Sequence, residues 1–244
     1  MSTKAIILAA GSSRRLRPIT NNRPKFLVEL NKETILDYQL RCLAECRVEQ
    51  ILIVVGYKKE MIKEYLEKSA YKKLIKIINN DIFEKTDNAY SLSLALEEVN
   101  EKKDSVIILD GDIIFDIRLL KKIIASHDKN ALIASNDRKI KPEDNKVLIK
   151  EGYAKIIKKT IKGSAIYNSI IKLNGRLLQT LKNECRKLEA WNEWYTEPLT
   201  KTLQDFPKEV KVIFTKGLLA CEIDTKEDLI RARRIHAKLT KLKE

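Results

Sequence analysis

Four short apolar runs in the first half of the chain alternate with segments of helical spacing, and this alternation limits the folds open to the sequence. The runs cover residues 5–9, 50–55, 74–78 and 105–109. A strand that is apolar throughout is typical of a sheet covered on both faces, because a half-exposed strand alternates apolar and polar residues. The β-α-β-α-β-α-β order therefore predicts a parallel sheet with right-handed crossovers and helices on both faces.

The second half has shorter strand patterns joined by turn residues such as Gly152 and Gly163. These patterns predict a small antiparallel addition to the sheet, followed by helices, one more strand and a last helix that Thr225 caps. The predicted strands cover 131–135, 146–149, 154–157, 164–170 and 210–214, and the predicted helices cover 174–188 and 197–203. With 244 residues, 44% of them hydrophobic, the chain is expected to form a single Rossmann-like α/β domain, 1–244, with a mixed, mainly parallel sheet.

The net charge of +14 is compatible with a nucleic-acid partner or with a solvated, lysine-rich surface. The basic residues are interleaved with 34 acids and form no aromatic-basic patch, so we expect no nucleic-acid partner. Four scattered cysteines do not make a disulfide framework, and no apolar run approaches the length of a membrane span. The sequence therefore predicts a cytoplasmic protein that does not bind a membrane.

The first strand opens into a loop of small residues, Gly11-Ser12-Ser13, which is followed directly by Arg14 and Arg15. Small residues leave backbone N–H groups accessible at the carboxyl end of a strand, where open α/β sheets bind ligands. Together with Lys25, the two arginines supply positive charge, so this pattern predicts a polyphosphate site. The alternative is an ordinary turn with solvated arginines.

Two acidic motifs lie far apart in the sequence. Asp110-Gly111-Asp112 ends the fourth strand, and Glu222 and Asp224 lie two residues apart, so they face one side of an extended segment. Carboxylates beside a polyphosphate suit Mg²⁺, which takes oxygen ligands. The alternatives are a simple Asp-Gly turn in the first motif and helix capping by Asp224 in the second.

Leu8-Ala9-Ala10-Gly11, Arg15-Leu16 and Pro24-Lys25 resemble the opening pattern L-A-A-G-x-G-x-R-L…P-K of nucleotidyltransferases, which join a nucleoside triphosphate to a phosphorylated small molecule. Ser13 stands where that pattern has its second glycine. The resemblance implies the nucleotide-diphospho-sugar transferase type of fold, catalytic roles for Arg15, Lys25, Asp112 and Asp224, and Mg²⁺ held by Asp112 and Asp224 with Glu222. The nucleotide-binding residues that it implies are Leu8, Ala9, Ala10, Gly11, Ser12, Ser13, Arg14, Arg15, Asn88, Ser91 and Asp110.

Residues 86–95, Thr-Asp-Asn-Ala-Tyr-Ser-Leu-Ser-Leu-Ala, resemble a stretch of the small cytidylyltransferases that use phosphocholine or inositol phosphate. Asn88 and Ser91 offer donors and acceptors able to contact a base or a ribose. Trp194-Tyr195-x-Glu197 is similar to a Tyr-Trp-Asp segment of the same enzymes. The resemblance divides the chain into a nucleotide-binding half, 1–115, and an acceptor-binding half, 116–244, in which the acceptor contacts are Trp194, Tyr195, Glu197 and Tyr167.

The acceptor itself is left open by the sequence. Trp191, Trp194 and Tyr195 could form part of an aromatic cage for a quaternary ammonium group, with Glu193 or Glu197 adding negative charge, or the tryptophans could simply pack in the core. We therefore expect a Mg²⁺-dependent transfer from CTP to phosphocholine or inositol 1-phosphate, which gives a CDP-alcohol and pyrophosphate. The rival functions are a sugar-1-phosphate enzyme that uses UTP or dTTP and, in another class, a basic nucleic-acid-binding protein. A homodimer is compatible with the sequence.

Overall fold

The computed structural model describes residues 2–241, within which it has eleven strands and seven α-helices. In chain order these are β1 (Ser2–Ala9), α1 (Ile35–Glu45), β2 (Gln50–Val55), α2 (Lys59–Glu67), β3 (Ile75–Asn79), α3 (Asn88–Leu96), β4 (Asp104–Asp110), β5 (Ile113–Phe115), α4 (Ile117–Ala125), β6 (Asn130–Ser135), β7 (Lys146–Lys150), β8 (Tyr153–Lys158), β9 (Ala165–Asn174), α5 (Gly175–Arg186), α6 (Thr196–Asp205), β10 (Val210–Phe214), β11 (Ala220–Glu222) and α7 (Lys226–Lys241). The predicted strands 50–55 and 210–214 agree with β2 and β10 at both ends. Helix α4 and the short strands β5 and β11 are absent from the sequence-based prediction.

Nine strands form one sheet in the order β3-β2-β1-β4-β9-β6-β10-β8-β7, and β5 pairs with β11 in a separate two-stranded sheet. Within the described part of the large sheet, four pairings are parallel and five are antiparallel. The predicted sheet is mixed, as observed, but the prediction that it is mainly parallel is not confirmed. The reason is that β9 inserts antiparallel between β4 and β6, while β7 pairs with both β8 and β9.

The two faces of the sheet carry separate hydrophobic layers. Ala5, Ile7 and Ala9 of β1 pack into one layer, and Ile6 and Leu8 of the same strand pack into the other. Since successive side chains of a strand point to opposite faces, a strand that is covered on both sides must be apolar throughout. Helices α1, α2, α4 and α7 cover the first face, and α3, α5 and α6 cover the second. The predicted covering of both faces by helices is confirmed.

The ends of the helices follow from local sequence. Thr34 caps α1 in a capping box, because its hydroxyl accepts from the Asp37 N–H at 3.0 Å while Asp37 accepts from the Thr34 N–H at 3.2 Å. The predicted cap at Thr225 is also present, since its hydroxyl accepts from the Asp228 N–H at 3.2 Å. Asp224 is therefore not needed to cap α7. Among residues 2–241, no helix combines the length and the apolar character required to cross a membrane.

Candidate active site

A cleft of about 280 Å³ lies at the carboxyl ends of β1 and β4. This is the edge of an open α/β sheet at which ligands commonly bind. Most of the residues predicted to form the site lie along this cleft. Its lining comprises Leu8, Ala9, Ala10, Gly11, Ser13, Arg15, Lys25, Phe26, Asn80, Phe83, Thr86, Asp87, Asn88, Ser91, Asp110, Gly111, Asp112, Asn145, Lys159, Trp194, Tyr195, Thr196, Glu222 and Asp224.

The loop after β1 displays its backbone toward the cleft. Ser13, at the position of the pattern's second glycine, adopts a left-handed conformation (φ 50°, ψ 48°), the geometry for which a glycine is best suited. A Cβ built on Gly11 would meet no atom within 4 Å, so this side of the loop is open. No described residue accepts a hydrogen bond from the N–H groups of Ser12, Ser13 or Arg14. These free N–H groups make the loop suitable for phosphate oxygens.

A tight turn brings the end of β4 against β1. The Gly111 N–H donates to the Leu8 carbonyl at 2.9 Å, and a Cβ at Gly111 would lie only 2.7 Å from that oxygen. Only glycine therefore fits at this position. The turn directs Asp112 into the cleft beside the loop that follows β1.

The two-stranded sheet of β5 and β11 brings the distant acids to Asp112. Glu222 pairs with Ile113 in this sheet, and the Ile223 N–H donates to the Asp112 carbonyl at 2.9 Å. As a result, carboxylate oxygens of Asp112, Glu222 and Asp224 all lie within 4.8 Å of one another. The predicted convergence of acids from the middle and the end of the chain is therefore present in the structure.

Lys25 lies between two of these acids. Its Nζ atom is 2.8 Å from Asp112 Oδ2 and 2.9 Å from Asp224 Oδ1, and the Lys25 side chain is only 8% exposed. The guanidinium of Arg15 contacts the other Asp224 oxygen at 2.9 Å, but its side chain is 64% exposed. The buried lysine therefore belongs to the acid cluster, whereas the arginine reaches it from the mouth of the cleft.

These contacts shift the protonation equilibria in opposite directions. Burial alone would lower the pKa of Lys25, but the charges of Asp112 and Asp224 outweigh it and raise this pKa. Burial alone would raise the pKa of Asp224, but the charge of Lys25 lowers it. Desolvation, together with repulsion from Asp112 and Asp224, raises the pKa of Glu222 to about 8. The negative charge of Asp112 and Asp224 together exceeds the positive charge of Lys25, which favours the binding of a further cation.

The acid cluster fits a divalent cation. Asp112 Oδ1 is buried and receives no hydrogen bond from any described residue, so one carboxylate oxygen is available as a ligand. Carboxylate oxygens are the protein ligands that Mg²⁺ prefers, and phosphate oxygens or water usually complete its shell. The residues that would hold the ion are Asp112, Asp224 and Glu222.

The start of α3 forms another wall of the cleft. Asn80 is 1% exposed and donates from Nδ2 to Ser91 Oγ at 3.0 Å and to Thr86 Oγ1 at 3.2 Å. Asn88 uses its Oδ1 to accept from the Tyr195 N–H at 2.7 Å. The two residues predicted to contact the nucleotide, Asn88 and Ser91, therefore line the cleft and also hold its walls together.

We expect Asn88→Leu to raise the KM for CTP, because a polar group for the base or the ribose is lost, and to raise the KM for the phosphorylated acceptor by roughly 5- to 100-fold, because a buried backbone N–H of Tyr195 loses its acceptor. Asn88→Asp keeps an oxygen at this position and is the matched control, with a KM within a few-fold of the wild type. Steady-state kinetics with each substrate varied in turn gives the result. An Asn88→Leu enzyme with an unchanged acceptor KM would show that this hydrogen bond does not position the acceptor wall.

The predicted acceptor residues divide into two groups. Trp194 and Tyr195 line the cleft, and Trp194 is 39% exposed while Tyr195 is 1% exposed. Tyr167 lies behind Tyr195, since the two hydroxyls are 3.0 Å apart and Tyr167 is itself buried. Glu197 forms an ion pair with Lys158 at 2.8 Å instead of facing the cleft. Ser12 and Arg14 lie in the loop but are not among the cleft residues, so their side chains are also set apart from it.

Lys159 is the most consequential cleft residue that sequence reasoning missed. It follows β8, its Nζ lies 3.2 Å from the centroid of the Trp194 ring, and no carboxylate of residues 2–241 approaches within 4.0 Å of it. Burial lowers the pKa of Lys159, against the effect of the nearby Glu222 charge. Lys159 lies among several lysines, and nothing in the sequence distinguishes it from them as a site residue. The position of Asn80 could have indicated a site residue, because it follows β3 at the same edge of the sheet as the other site residues.

Asp110 gives the site a pH-dependent stability. Burial at the floor of the cleft, followed by repulsion from Asp112, raises its pKa from 3.8 to about 7. The folded protein therefore holds a proton that the unfolded chain has already released, and stability falls as the pH rises from about 4 to about 7. In metal-free buffer at pH 8, Asp110→Asn should unfold at least about 3 °C above the wild type, with a difference that shrinks toward pH 5.

The matched control for that scan is Asp104→Asn. Asp104 lies at the other end of β4 and is buried, but it forms an ion pair with Lys4 at 3.0 Å, so its replacement should lower the unfolding temperature. An Asp110→Asn protein less stable than the wild type at pH 8 would contradict a raised pKa of Asp110 in the folded protein.

Comparisons with known proteins give a consistent result. A family model described as nucleotidyl transferase matches residues 4–163. The chain is 44% identical over 96 residues to the choline-phosphate cytidylyltransferase of Streptococcus pneumoniae, over 39% of this chain and 40% of that protein. It is 32% identical over 133 residues to the CTP:phosphoglutamine cytidylyltransferase of Campylobacter jejuni, over 53% of this chain and 51% of that protein. The chain thus spans about half, or less, of the length of these curated relatives.

A solved structure extends the likeness to almost the whole chain. The inositol-1-phosphate CTP transferase from T. maritima superposes with a TM-score of 0.81 at 24% identity, covering 98% of this chain and 96% of that one. At this identity the match shows a shared fold. The α/β fold type implied by the opening motif is therefore confirmed.

Proposed function

This chain belongs to the nucleotidyl transferase family, and we propose that it joins CTP to a small phosphorylated alcohol, giving a CDP-alcohol and pyrophosphate. The observation that carries the proposal is the meeting of a cationic, N–H-rich loop with three acids around the buried Lys25. Transfer to a phosphorus atom needs positioning and charge neutralisation more than a protein nucleophile, and this cleft offers both.

The reaction is written with a balanced exchange of bonds. A phosphate oxygen of the acceptor forms a new bond to the α-phosphorus of CTP, and the bond from that phosphorus to the β-phosphate bridging oxygen breaks. The electron pair leaves with pyrophosphate, and no proton needs to move because the attacking phosphate is already ionised. The absence of a general base among the proposed catalytic residues agrees with this chemistry.

Each proposed residue has a role that follows from its position. The N–H groups after β1 and the exposed Arg15 hold the β- and γ-phosphates. Lys25 neutralises the α-phosphate at the acid cluster, and Lys159, which also lines the cleft, holds the phosphate of the acceptor. Asp112, Asp224 and Glu222 would hold a magnesium ion, which when bound would further neutralise the charge of the phosphate oxygens.

The choice of CTP rests on the relatives. Two of them are named as cytidylyltransferases, one acting on choline phosphate and one on phosphoglutamine. The start of α3, with Asn88 and Ser91 on the cleft, provides polar groups for the base or the ribose. The names of the relatives support a cytidine nucleotide, and the polar groups of α3 are compatible with it.

Pyrophosphate release tests the proposal directly. The chain is assayed with CTP, UTP, dTTP and GTP, each paired with phosphocholine, inositol 1-phosphate and glucose 1-phosphate in the presence of Mg²⁺. We expect CTP to exceed the other nucleotides by at least about 10-fold in kcat/KM. A preference for UTP or dTTP with glucose 1-phosphate would instead identify a sugar-1-phosphate enzyme. Tight, salt-dependent binding to RNA or DNA without any pyrophosphate release would support the nucleic-acid-binding alternative.

A further inference from the structure

The aromatic residues at the acceptor end of the cleft all have partners. Trp194 carries the Lys159 ammonium over its ring at 3.2 Å. Tyr195 is buried against Tyr167 in an edge-to-face arrangement, with ring centroids 6.5 Å apart. Trp191 packs on Tyr90 with centroids 4.6 Å apart. None of these rings is arranged as an open wall of a cage.

A quaternary ammonium group requires what this end of the cleft lacks. Such a cation is held by the negative faces of aromatic rings, and Trp194, the indole that lines the cleft, already carries a protein cation over its ring. A second positive charge on the same face would be repelled by Lys159, and the methyl groups that surround it cannot donate hydrogen bonds.

The polar groups of the same region are hydrogen-bond acceptors. Asn145 lies beside the tyrosine pair, since its carbonyl accepts from the Tyr167 N–H at 2.8 Å, and its side chain lines the cleft. The buried Oδ1 of Asn145 receives no hydrogen bond from any described residue. A ligand that carries O–H or N–H donors would satisfy this oxygen.

We infer that the acceptor is a phosphate ester whose alcohol part carries hydroxyl or primary amine donors, and that Lys159, stacked on Trp194, makes the site reject a quaternary ammonium group. This inference rests on the proposed function, because it concerns the second substrate of that reaction. It assigns acceptor selection to Lys159 and Asn145, neither of which belongs to the acid cluster.

Matched acceptors test the inference. Phosphocholine and phosphoethanolamine share one skeleton and differ only in the three N-methyl groups. Inositol 1-phosphate is the third acceptor, and it carries hydroxyl donors. With CTP and Mg²⁺, at least one of the two donor-bearing acceptors should exceed phosphocholine by about 10-fold or more in kcat/KM. Phosphocholine turned over as well as, or better than, both others would overturn the inference and leave the proposed function standing. If no acceptor releases pyrophosphate with any nucleotide, the proposed function fails and the inference fails with it.

Lys159→Met separates selection from phosphate binding. This variant loses affinity for every phosphorylated acceptor, so the informative quantity is the ratio of phosphocholine to phosphoethanolamine. We expect this ratio to rise at least about 10-fold, both in kcat/KM and in dissociation constants measured by quenching of tryptophan fluorescence. Asn145→Leu should lower turnover of the donor-bearing acceptor without improving that of phosphocholine. A Lys159→Met ratio equal to that of the wild type would overturn the role of the lysine, even where overall activity is low.

Discussion

Replacing Asp112 with Asn should lower kcat by at least about 10³-fold while the protein remains folded. The substitution keeps the size of the side chain but removes a negative charge from the cluster in which Asp112, Glu222 and Asp224 lie within 4.8 Å of one another. Loss of one ligand of a catalytic metal removes several kcal/mol of transition-state stabilisation, which corresponds to this factor. Asp224→Asn should have an effect of similar size, because the two acids share Lys25.

Asp81→Asn is the matched control for Asp112→Asn. Asp81 also forms an ion pair with a lysine, Lys59, at 2.6 Å, but at the protein surface and outside the cluster. Its replacement should leave pyrophosphate release within about two-fold of the wild type. An Asp112→Asn enzyme that retains more than a tenth of the activity, with the fold verified by circular dichroism, would remove Asp112 from the proposed catalytic residues.

Lys25→Met should both inactivate and destabilise the protein. The ammonium is buried between Asp112 and Asp224, so its removal leaves two neighbouring carboxylates without their main counter-charge. Breaking a buried ion pair by removing one partner costs roughly 3–5 kcal/mol. Turnover should fall by about 10²- to 10⁴-fold, because a preorganised charge on the reacting phosphates is lost. Thermal unfolding in EDTA and in millimolar Mg²⁺ measures the stability, and Mg²⁺ should restore part of it.

Lys59→Met provides the comparison for Lys25→Met. Its partner is the exposed Asp81, and because solvent screens an exposed pair, its loss should change the stability little. The two variants remove the same group and differ only in burial and in their neighbours. A Lys25→Met protein as stable as Lys59→Met, with no response to Mg²⁺, would contradict a shared cation site at these acids.

Local patterns in the sequence predicted the elements well where the signal itself is local. Strand β2, an almost wholly apolar run, is correct at both ends, and the predicted cap of the last helix by Thr225 is present. The pairing of strands is not a local property. The pairing of β9 with β4 joins residues more than 60 positions apart, and no alternation of residues within either strand predicts it. For this reason the prediction of a mainly parallel sheet is not confirmed, whereas the prediction of helices on both faces is.

The site shows the same division. Glycine, arginine and carboxylates at the ends of apolar runs indicated the loop and the acids, and the family resemblance joined Asp112 to Asp224. Asp112 and Asp224 are brought together by the pairing of β5 with β11. Each of these strands has only three residues, which is too short for a recognisable strand pattern in the sequence. Lys159 gave no signal because it is one of many lysines. The assignment of residues 1–115 to the nucleotide and 116–244 to the acceptor stays a prediction.

We propose that Asp112 and Asp224 hold one divalent cation beside the loop that follows β1. Anomalous scattering from crystals of the protein grown with CTP and Mn²⁺, used in place of Mg²⁺, locates that ion directly. We expect a manganese peak within about 2.5 Å of carboxylate oxygens of both residues, with phosphate oxygens in the same coordination shell. A manganese ion on the triphosphate that contacts neither Asp112 nor Asp224 would contradict it.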